Sequence, residues 1–234
     1  MQTTNLQDFF VRIGYNYRND LEKLSTICKY TKTRVNNERT AGEMSYGSEQ
    51  CFLVKAIAKS IDATDFFEIG TGRGTASYAV SLLESIERVI TIDIISFYEK
   101  RNTAIGYKAA HVSNHDLYGM IPYPEKEKIE FKHLSELSRV FNQSQGEFDL
   151  AFIDGNHTDF DVIMNDFAIC NHLVRPGGLI LFDDYHPDKF AVKKVADKVL
   201  QDNPQYSAEL ICFHGHLFEQ SRVATDNGIL MVTK

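Results

Sequence analysis

Cysteine is scarce in this sequence, and its four cysteines form no CxxC pair. Cys28, Cys51, Cys170 and Cys212 are scattered along the chain. Structural zinc sites commonly use closely spaced cysteine pairs, so a zinc site of that kind is not expected. We interpret the four residues as reduced, mostly buried thiols of a cytoplasmic protein.

Long apolar runs are also missing. No segment approaches the roughly 20 apolar residues that span a bilayer. The N-terminal residues 1–5 contain neither the basic nor the apolar region of a signal peptide. We therefore expect no membrane association and no secretion signal.

Basic residues are outnumbered by acidic ones. The chain has 25 Lys and Arg against 32 Asp and Glu, a net charge of -7. Affinity for nucleic acid comes mainly from basic side chains on phosphates, so a nucleic-acid partner is not expected. A small-molecule substrate fits this charge better, and a homo-oligomer is compatible with it.

The 234 residues suffice for one sizeable α/β domain. Residues 1–47 are polar and mixed, which predicts an N-terminal extension or cap on a main domain at 48–234. Within that domain, short apolar strands alternate with amphipathic helices. Strands are predicted at Asp65–Ile69, Val89–Ile95, Lys128–His133, Phe148–Ile153, Leu179–Phe182, Glu209–Phe213 and Ile229–Val232. Helices are predicted after Ser48, over Thr75–Ile86, after a Thr158 cap and after Pro187.

This alternation predicts a Rossmann-like, doubly wound α/β fold with a mostly parallel seven-stranded sheet and helices on both faces. Ligands in such folds bind at the carboxyl ends of the strands. The residues that follow each predicted strand are therefore the candidates for function.

A glycine-rich loop follows the first predicted strand, in Glu68-Ile69-Gly70-Thr71-Gly72-Arg73-Gly74. Glycine allows a ligand to approach the backbone closely. A dinucleotide-binding loop would place its third glycine at Thr75 rather than at Gly74. Such loops also occur as plain tight turns, so the loop alone leaves its role open.

Two acids narrow the choice of ligand. Glu68 precedes the glycines, and a carboxylate there suits a cationic ligand better than a pyrophosphate. Asp93 ends the second predicted strand, where an acid can accept hydrogen bonds from ribose hydroxyls. The alternative for Asp93 is a turn residue at a strand end.

With these residues the chain resembles the class I S-adenosylmethionine (SAM)-dependent methyltransferases over about residues 48–234. Glu68, Gly70, Gly72 and Gly74 match that family's first motif, and Asp93 matches its second. The resemblance implies that the loop, Thr71 included, binds the amino-acid part of SAM with Glu68 near its ammonium group. It also implies that Asp93 holds the ribose, and it places His133, Leu134 and Ser135 near the adenine.

A second set of acids follows the fourth and fifth predicted strands. Asp154 ends one of them, and Asp183 and Asp184 end the other. Adjacent parallel strands would bring these carboxylates to one rim, where a hard cation such as Mg²⁺ would relieve their repulsion. A metal would also lower the pKa of an acceptor hydroxyl, and Asp154 could accept its proton. Turn or capping roles remain alternatives for these acids.

The pattern resembles the branch of that family that contains O-methyltransferases of sugars and secondary metabolites, with the catechol type a more distant relative. The resemblance implies that Asp154, Asp183 and Asp184 bind a metal and that Asp154, also near the cofactor, or His157 is the catalytic base. Asn156 stands where the pattern has a further acid. His157 could equally be a simple hydrogen-bond donor to a neighbouring loop.

An aromatic, proline-containing segment, Ser96–Glu127, is longer than a helical crossover needs. It could cover the acceptor or simply pack on the surface. The leading hypothesis is a SAM-dependent, metal-assisted O-methyltransferase acting on a small hydroxylated metabolite. A metal-free or N-directed methyltransferase, a nicotinamide-dependent oxidoreductase and a non-catalytic binding protein are the alternatives.

Overall fold

The computed structural model describes residues 1–31, 49–105, 108–186, 188–213, 217 and 228–234. Ser48 and the histidines at 214 and 216 lie outside these ranges. The α-helices are α1 (Leu6–Arg12), α2 (Leu21–Thr31), α3 (Glu49–Ser60), α4 (Thr75–Ser81), α5 (Asn114–Met120), α6 (Leu137–Gln143), α7 (Phe160–Leu173) and α8 (Val192–Asp202). The strands are β1 (Gln2–Asn5), β2 (Asp65–Ile69), β3 (Arg88–Asp93), β4 (Arg101–Ile105), β5 (Lys108–Val112), β6 (Ile129–His133), β7 (Phe148–Ile153), β8 (Val174–Tyr185), β9 (Ser207–Cys212) and β10 (Gly228–Thr233).

The main sheet has eight strands in the order β1-β9-β10-β8-β7-β2-β3-β6. Only β10 runs antiparallel to its neighbours, so the predicted doubly wound, mostly parallel sheet is confirmed. The prediction of seven strands is wrong by one. The additional strand, β1, lies in the N-terminal segment and pairs in parallel with β9.

Helices cover both faces of this sheet because each buries an apolar stripe. Phe52, Leu53, Ala56 and Ile57 of α3 are fully buried on one face. On the opposite face, α7 and α8 bury the stripes Ile163, Phe167, Cys170, Val195 and Val199. No helix in the described ranges is long and apolar enough to cross a membrane.

The N-terminal segment packs firmly against the rest of the molecule. The side chains of Leu6 and Leu24 are fully buried in the same core cluster as α3. Asp20 accepts hydrogen bonds from the Tyr15 hydroxyl at 2.6 Å and from the buried Lys55 ammonium of α3, also at 2.6 Å. This polar contact joins the chain just ahead of α2 to α3.

Several predicted boundaries differ from the observed ones by up to five residues, and β8 also extends past the predicted Phe182 to Tyr185. Helix α4 ends at Ser81 instead of Ile86. Helix α7 is capped by Asp159, whose carboxylate accepts from the amides of Asp161 and Val162, instead of by Thr158. Strand β8 begins at Val174, ahead of the predicted Leu179, because the chain extends directly after the helix.

The segment between β3 and β6 contains regular structure of its own. Strands β4 and β5 form an antiparallel hairpin, and α5 follows with a capping box between Ser113 and Asp116. This segment lies at the β6 edge of the sheet, next to the glycine-rich loop.

Candidate active site

The carboxyl ends of four neighbouring strands meet at one edge of the sheet. Ile69 of β2 is in register with Ile92 of β3 and Ile153 of β7, and Ile153 is in register with Phe182 of β8. The residue that follows each of these strand positions therefore lies at the same rim. These residues are Gly70, Asp93, Asp154 and Asp183, as the sequence predicts.

A cavity of about 300 Å³ opens at this rim. Its wall combines the glycine-rich loop with groups from four other parts of the chain. It is lined by Thr31, Gln50, Glu68, Gly70, Thr71, Gly72, Arg73, Thr75, Ala76 and Asp154. Four of the predicted cofactor-binding residues, Glu68, Gly70, Thr71 and Gly72, thus share one cavity with the predicted base, Asp154.

Gly70 joins β2 to the loop at a point where no side chain fits. Its φ is +96°, and a Cβ atom added there would lie 2.2 Å from the carbonyl oxygen of Asp154. The backbone is held on both sides, since the Gly70 amide donates to Ile92 and the Asp154 amide donates to Ile69, each at 2.8 Å. Glycine at this position therefore brings the loop and the β7 end into contact.

Gly74 ends the loop with a φ of +78° and caps the start of α4. A Cβ atom there would approach the Tyr78 ring at 3.0 Å. The loop therefore turns into α4 without any side chain between it and the helix.

Glu68 is buried at the base of the cavity and held by hydroxyl groups. Its Oε2 accepts hydrogen bonds from Ser77 and Thr91, both at 2.6 Å, and the Thr91 hydroxyl lies 2.7 Å from that of Thr71. Burial raises the pKa of Glu68 to about 7, since the two hydroxyls only partly offset the lost hydration and the nearby Asp93 carboxylate raises it further. A cationic ligand in the cavity would favour the ionised form.

Replacement of Glu68 with glutamine is expected to stabilise the ligand-free protein at neutral pH. Because the folded-state pKa is raised from 4.5 to about 7, ionisation of Glu68 costs stability as pH rises through that window. Glutamine avoids this cost, so the gain should be absent below pH 4.5 and reach about 2–3 kcal/mol above pH 7. Urea denaturation across this pH range measures it.

The exposed residue Glu84 provides a control for the loss of one carboxylate, since Glu84→Gln should change the free energy of unfolding little. The raised pKa of Glu68 would be contradicted if the stability difference between Glu68→Gln and the native chain did not grow with pH.

The side chain of Asp93 holds the backbone of the glycine-rich loop. Its Oδ2 accepts from the Gly72 amide and its Oδ1 from the Ile95 amide, both at 2.9 Å. The Gly72 carbonyl in turn accepts from Arg101 at 2.8 Å and from Asn114 at 3.1 Å. The segment between β3 and β6 therefore holds the glycine-rich loop directly.

Leu134 and Ser135 lie just beyond β6, in a short 3₁₀ turn. The Ser135 amide donates to Nδ1 of His133, so Nε2 of His133 carries the proton that it donates to the Ile94 carbonyl at 3.0 Å. Leu134 and Ile94 remain 43% and 72% exposed. These two apolar side chains flank the side of the site beyond Asp93.

The acidic side of the rim is organised by Gln50 of α3. Its amide nitrogen lies 2.6 Å from Oδ2 of Asp183 and 3.2 Å from Oδ2 of Asp154. Burial and the carboxylates of Asp154 and Asp184 raise the pKa of Asp183 well above its ordinary value. The repulsion that the sequence predicts among these acids is therefore present.

The Asp184 side chain points toward His157, whereas that of Asp183 points toward Gln50. Asp184 has a φ of +51°, which turns the chain at this point, and its Oδ2 lies 3.5 Å from Nδ1 of His157. Nε2 of His157 lies 3.9 Å from Oδ1 of Asp154. His157 thus bridges the two acids at the outer side of the rim.

The rim acids differ in how well they could hold a metal ion. Within the described residues, no three His, Cys, Asp or Glu side chains are grouped to hold one. Asp154 and Asp183 both contact the Gln50 amide nitrogen, so their carboxylates lie on the same side of the rim, and Mg²⁺ commonly binds through one or two carboxylates and several waters. Two of the three predicted ligands thus fit such an ion, and the metal stays a prediction.

The prediction from sequence missed Gln50, Thr31, Arg73 and Arg101 as residues around the site. Burial and Arg101 lower the pKa of Arg73 to about 10. Arg73 is the one residue of this group that lies inside the recognised motif. Gln50 and Thr31 carry no signal because their positions depend on how α2 and α3 pack.

A model of the methyltransferase domain family matches residues 67–185, just over half of the chain. The chain belongs to this methyltransferase family. The match begins within β2 and ends with β8, so it includes the glycine-rich loop, Asp93 and all three rim acids. The resemblance to class I SAM-dependent methyltransferases is therefore confirmed, and the oxidoreductase alternative loses its support.

Solved methyltransferase structures share the fold. The O-methyltransferase TomG from Streptomyces achromogenes, involved in tomaymycin synthesis and solved with SAM, is 18% identical over 91% of this chain and 89% of its own, with a TM-score of 0.59. An O-methyltransferase from Bacillus cereus, solved with SAH, is 15% identical over 97% and 96%, with a TM-score of 0.57. A putative caffeoyl-CoA O-methyltransferase from Staphylococcus aureus is 16% identical over 98% and 97%, with a TM-score of 0.53. No curated protein sequence matches the chain.

Proposed function

We propose that this methyltransferase binds SAM at the glycine-rich loop and transfers its methyl group to a hydroxyl oxygen of a small metabolite. The observation that carries the proposal is the shared cavity, in which the Asp154 carboxylate stands opposite the glycine-rich loop. In this proposal Asp154 is the proton acceptor beside the methyl donor. The O-methyltransferases among the structural neighbours support oxygen as the acceptor atom.

The cavity and the residues next to it along the strand ends match the amino-acid, ribose and adenine parts of SAM in turn. The buried Glu68 carboxylate suits the ammonium group, because a nearby cation would stabilise its charged form. Asp93 retains lone pairs on both oxygens for ribose hydroxyls while it holds the Gly72 and Ile95 amides. Ile94 and Leu134 offer exposed apolar surface for the adenine, with Ser135 beside them.

SAM, when bound, supplies an electrophilic methyl group on a sulfonium. The acceptor oxygen forms the new C–O bond as the C–S bond breaks, and the sulfur keeps the electron pair. The proton of the hydroxyl passes to Asp154, and His157, 3.9 Å from that carboxylate, is placed to take it onward. Gln50 orients the Asp154 carboxylate for this transfer.

If Mg²⁺ takes part, Asp154 and Asp183 would hold it, and Asp184 would join them after turning from His157. Such an ion would lower the pKa of the acceptor hydroxyl. The N-directed, metal-free alternative places a substrate amine against the same acids. The residues proposed to bind SAM are the same in the metal-assisted mechanism and in this alternative.

The acceptor atom is tested with SAM carrying a ¹³C-labelled methyl group and a panel of phenolic, sugar and amine acceptors. We expect labelled methyl ethers, recognised by their carbon chemical shift and by the mass of the product. Labelled N-methyl products alone would favour the alternative. No labelled product from any acceptor, with bound SAM demonstrated, would contradict the transfer to small hydroxylated molecules.

Removal of divalent metal separates the two forms of the mechanism. For the metal-assisted form, EDTA should lower the transfer rate by about 100-fold or more, and added Mg²⁺ should restore it. Asp183→Asn should then weaken Mg²⁺ binding measured by calorimetry. Unchanged activity in EDTA together with unchanged Mg²⁺ binding by Asp183→Asn would reject the metal.

A further inference from the structure

A second cavity, of about 310 Å³, lies at the β6 edge of the sheet. Its walls come from the segment between β3 and β6 and from β6 itself. Aromatic rings dominate the lining, with Phe97, Tyr98, His115, Tyr118 and Phe131, and the remaining residues are Ser96, Ile129, His133 and Glu136. We call it the aromatic cavity.

The inner rings of the aromatic cavity are fixed by mutual stacking. Phe97 stacks on Phe131 with ring centroids 4.5 Å apart and an interplanar angle of 21°. Tyr118 packs edge-on against both rings at 6.1 Å. These contacts form a rigid floor rather than a filled core, since the cavity remains open above them.

The outer rings are exposed. Tyr98 is 70% exposed, and its ring lies 5.1 Å from that of His115 at an angle of 35°. His115 is held in place through its backbone amide, which donates to the Phe97 carbonyl at 2.9 Å. A planar ligand that entered beside this pair would bury aromatic surface that now faces water.

The aromatic cavity is separate from the cofactor cavity. Among the described residues the two share no lining residue. They are nevertheless neighbours, because Ser96 and Phe97 follow Asp93 closely in sequence and Asn114, next to His115, donates to the Gly72 carbonyl. Asp154 is not among the residues that line the aromatic cavity, so a ligand there need not be the methyl acceptor.

The charge of the lining points to the class of ligand. Glu136 contributes a carboxylate, and none of the described lining residues is Lys or Arg. The faces of aromatic rings attract cations and amino groups. Lys126 already lies over Tyr118, 4.7 Å from the ring centroid, so the exposed Tyr98 ring is the open phenol face of the cavity. We propose that the aromatic cavity binds an arylalkylamine, a protonated amine carried on a planar aromatic ring, at a site distinct from the methyl-transfer site.

Tryptamine is a suitable probe because the chain contains no Trp, so indole fluorescence reports on the probe alone. We expect saturable binding to the full-length protein by fluorescence anisotropy, both with and without saturating S-adenosylhomocysteine. Indole-3-acetate, which carries a carboxylate on the same ring system, should bind about tenfold more weakly. Tyr98→Ala should weaken tryptamine binding about fivefold or more.

His111→Ala is the matched control, because His111 is exposed on the same segment but does not line the cavity. Glu136→Gln is a second variant, expected to remove the preference for tryptamine over indole-3-acetate while both still bind.

Competition by S-adenosylhomocysteine would overturn the proposal by assigning the cavity to the cofactor. Absence of saturable binding, or equal binding by the native chain and Tyr98→Ala, would overturn it as well. The failure of SAM to bind would instead reject the proposed function and leave this test intact.

Discussion

Gly70→Ala is expected to abolish binding of SAM and to lower the free energy of unfolding by about 3–5 kcal/mol. The added Cβ would lie 2.2 Å from the Asp154 carbonyl oxygen and 2.6 Å from the Gly155 amide nitrogen. Both are backbone atoms at the end of β7, so the clash cannot be relieved by a rotamer change. The two strand ends would have to separate, and the cavity between the loop and Asp154 would lose its shape.

Urea denaturation measures the loss of stability, and calorimetry measures the loss of binding. Gly146→Ala is the matched control, since Gly146 also has a positive φ, +65°, but no atom lies within 4 Å of a Cβ there. That variant should show only the backbone strain, about 1 kcal/mol. Equal losses in the two variants would mean that close approach to Asp154 is not what requires glycine at residue 70.

Asp154→Asn is expected to lower the rate of methyl transfer by about 10²- to 10⁴-fold while the fold is kept. Asparagine has nearly the same shape and its oxygen can still accept from Gln50, but it does not take up the proton of the acceptor hydroxyl. The loss should therefore appear in kcat, with the KM for SAM changed little. Steady-state kinetics with a responsive acceptor separates the two parameters.

Asp161→Asn provides a control for the loss of one negative charge near the rim, since Asp161 is exposed in the first turn of α7. It should transfer methyl groups at the native rate. A fall of less than about threefold in kcat for Asp154→Asn would assign proton transfer to another group, for which His157 is the nearest candidate.

The predicted sheet was confirmed because its buried strands carry strong local signals. Strand β7 is apolar at every position except Asp149 and buried at every position, and the glycines after β2 mark a strand-to-helix turn. Such segments can be recognised without knowledge of their neighbours. The eighth strand, β1, contains only Gln2–Asn5, and these polar residues give no apolar pattern, because β1 is stabilised by pairing with β9.

The site residues that lie at strand ends could be predicted from the sequence. The site residues that are brought there by the packing of helices could not. Asp154 and Asp183 meet because their strands are neighbours, which the alternation of strands and helices implies. Gln50 lies on a helix 104 residues earlier than Asp154, and its role follows only from the position of α3 against the rim. The Asp184 side chain is separated from that of Asp183 by the positive φ of Asp184, +51°. Two consecutive aspartates in a sequence do not indicate such a backbone conformation.

The regular structure between β3 and β6 was likewise beyond the sequence pattern. The prediction for this segment was a lid or a surface-packed insertion, and neither includes a hairpin. Arg101 and Asn114 reach the Gly72 carbonyl from it, a contact made by polar side chains across about 30–40 residues of chain. Local periodicity does not report contacts of this kind.

Calorimetric titration of the purified chain with SAM tests the central claim most directly, because it asks whether the glycine-rich loop belongs to a SAM site before any acceptor is known. We predict one site per chain with a dissociation constant on the order of 1–100 µM, and at least tenfold weaker binding by Asp93→Ala, since the ribose would lose its acid. The heat of binding should be absent with NAD. A titration with millimolar SAM that shows no binding, by a chain shown to be folded, would contradict the account.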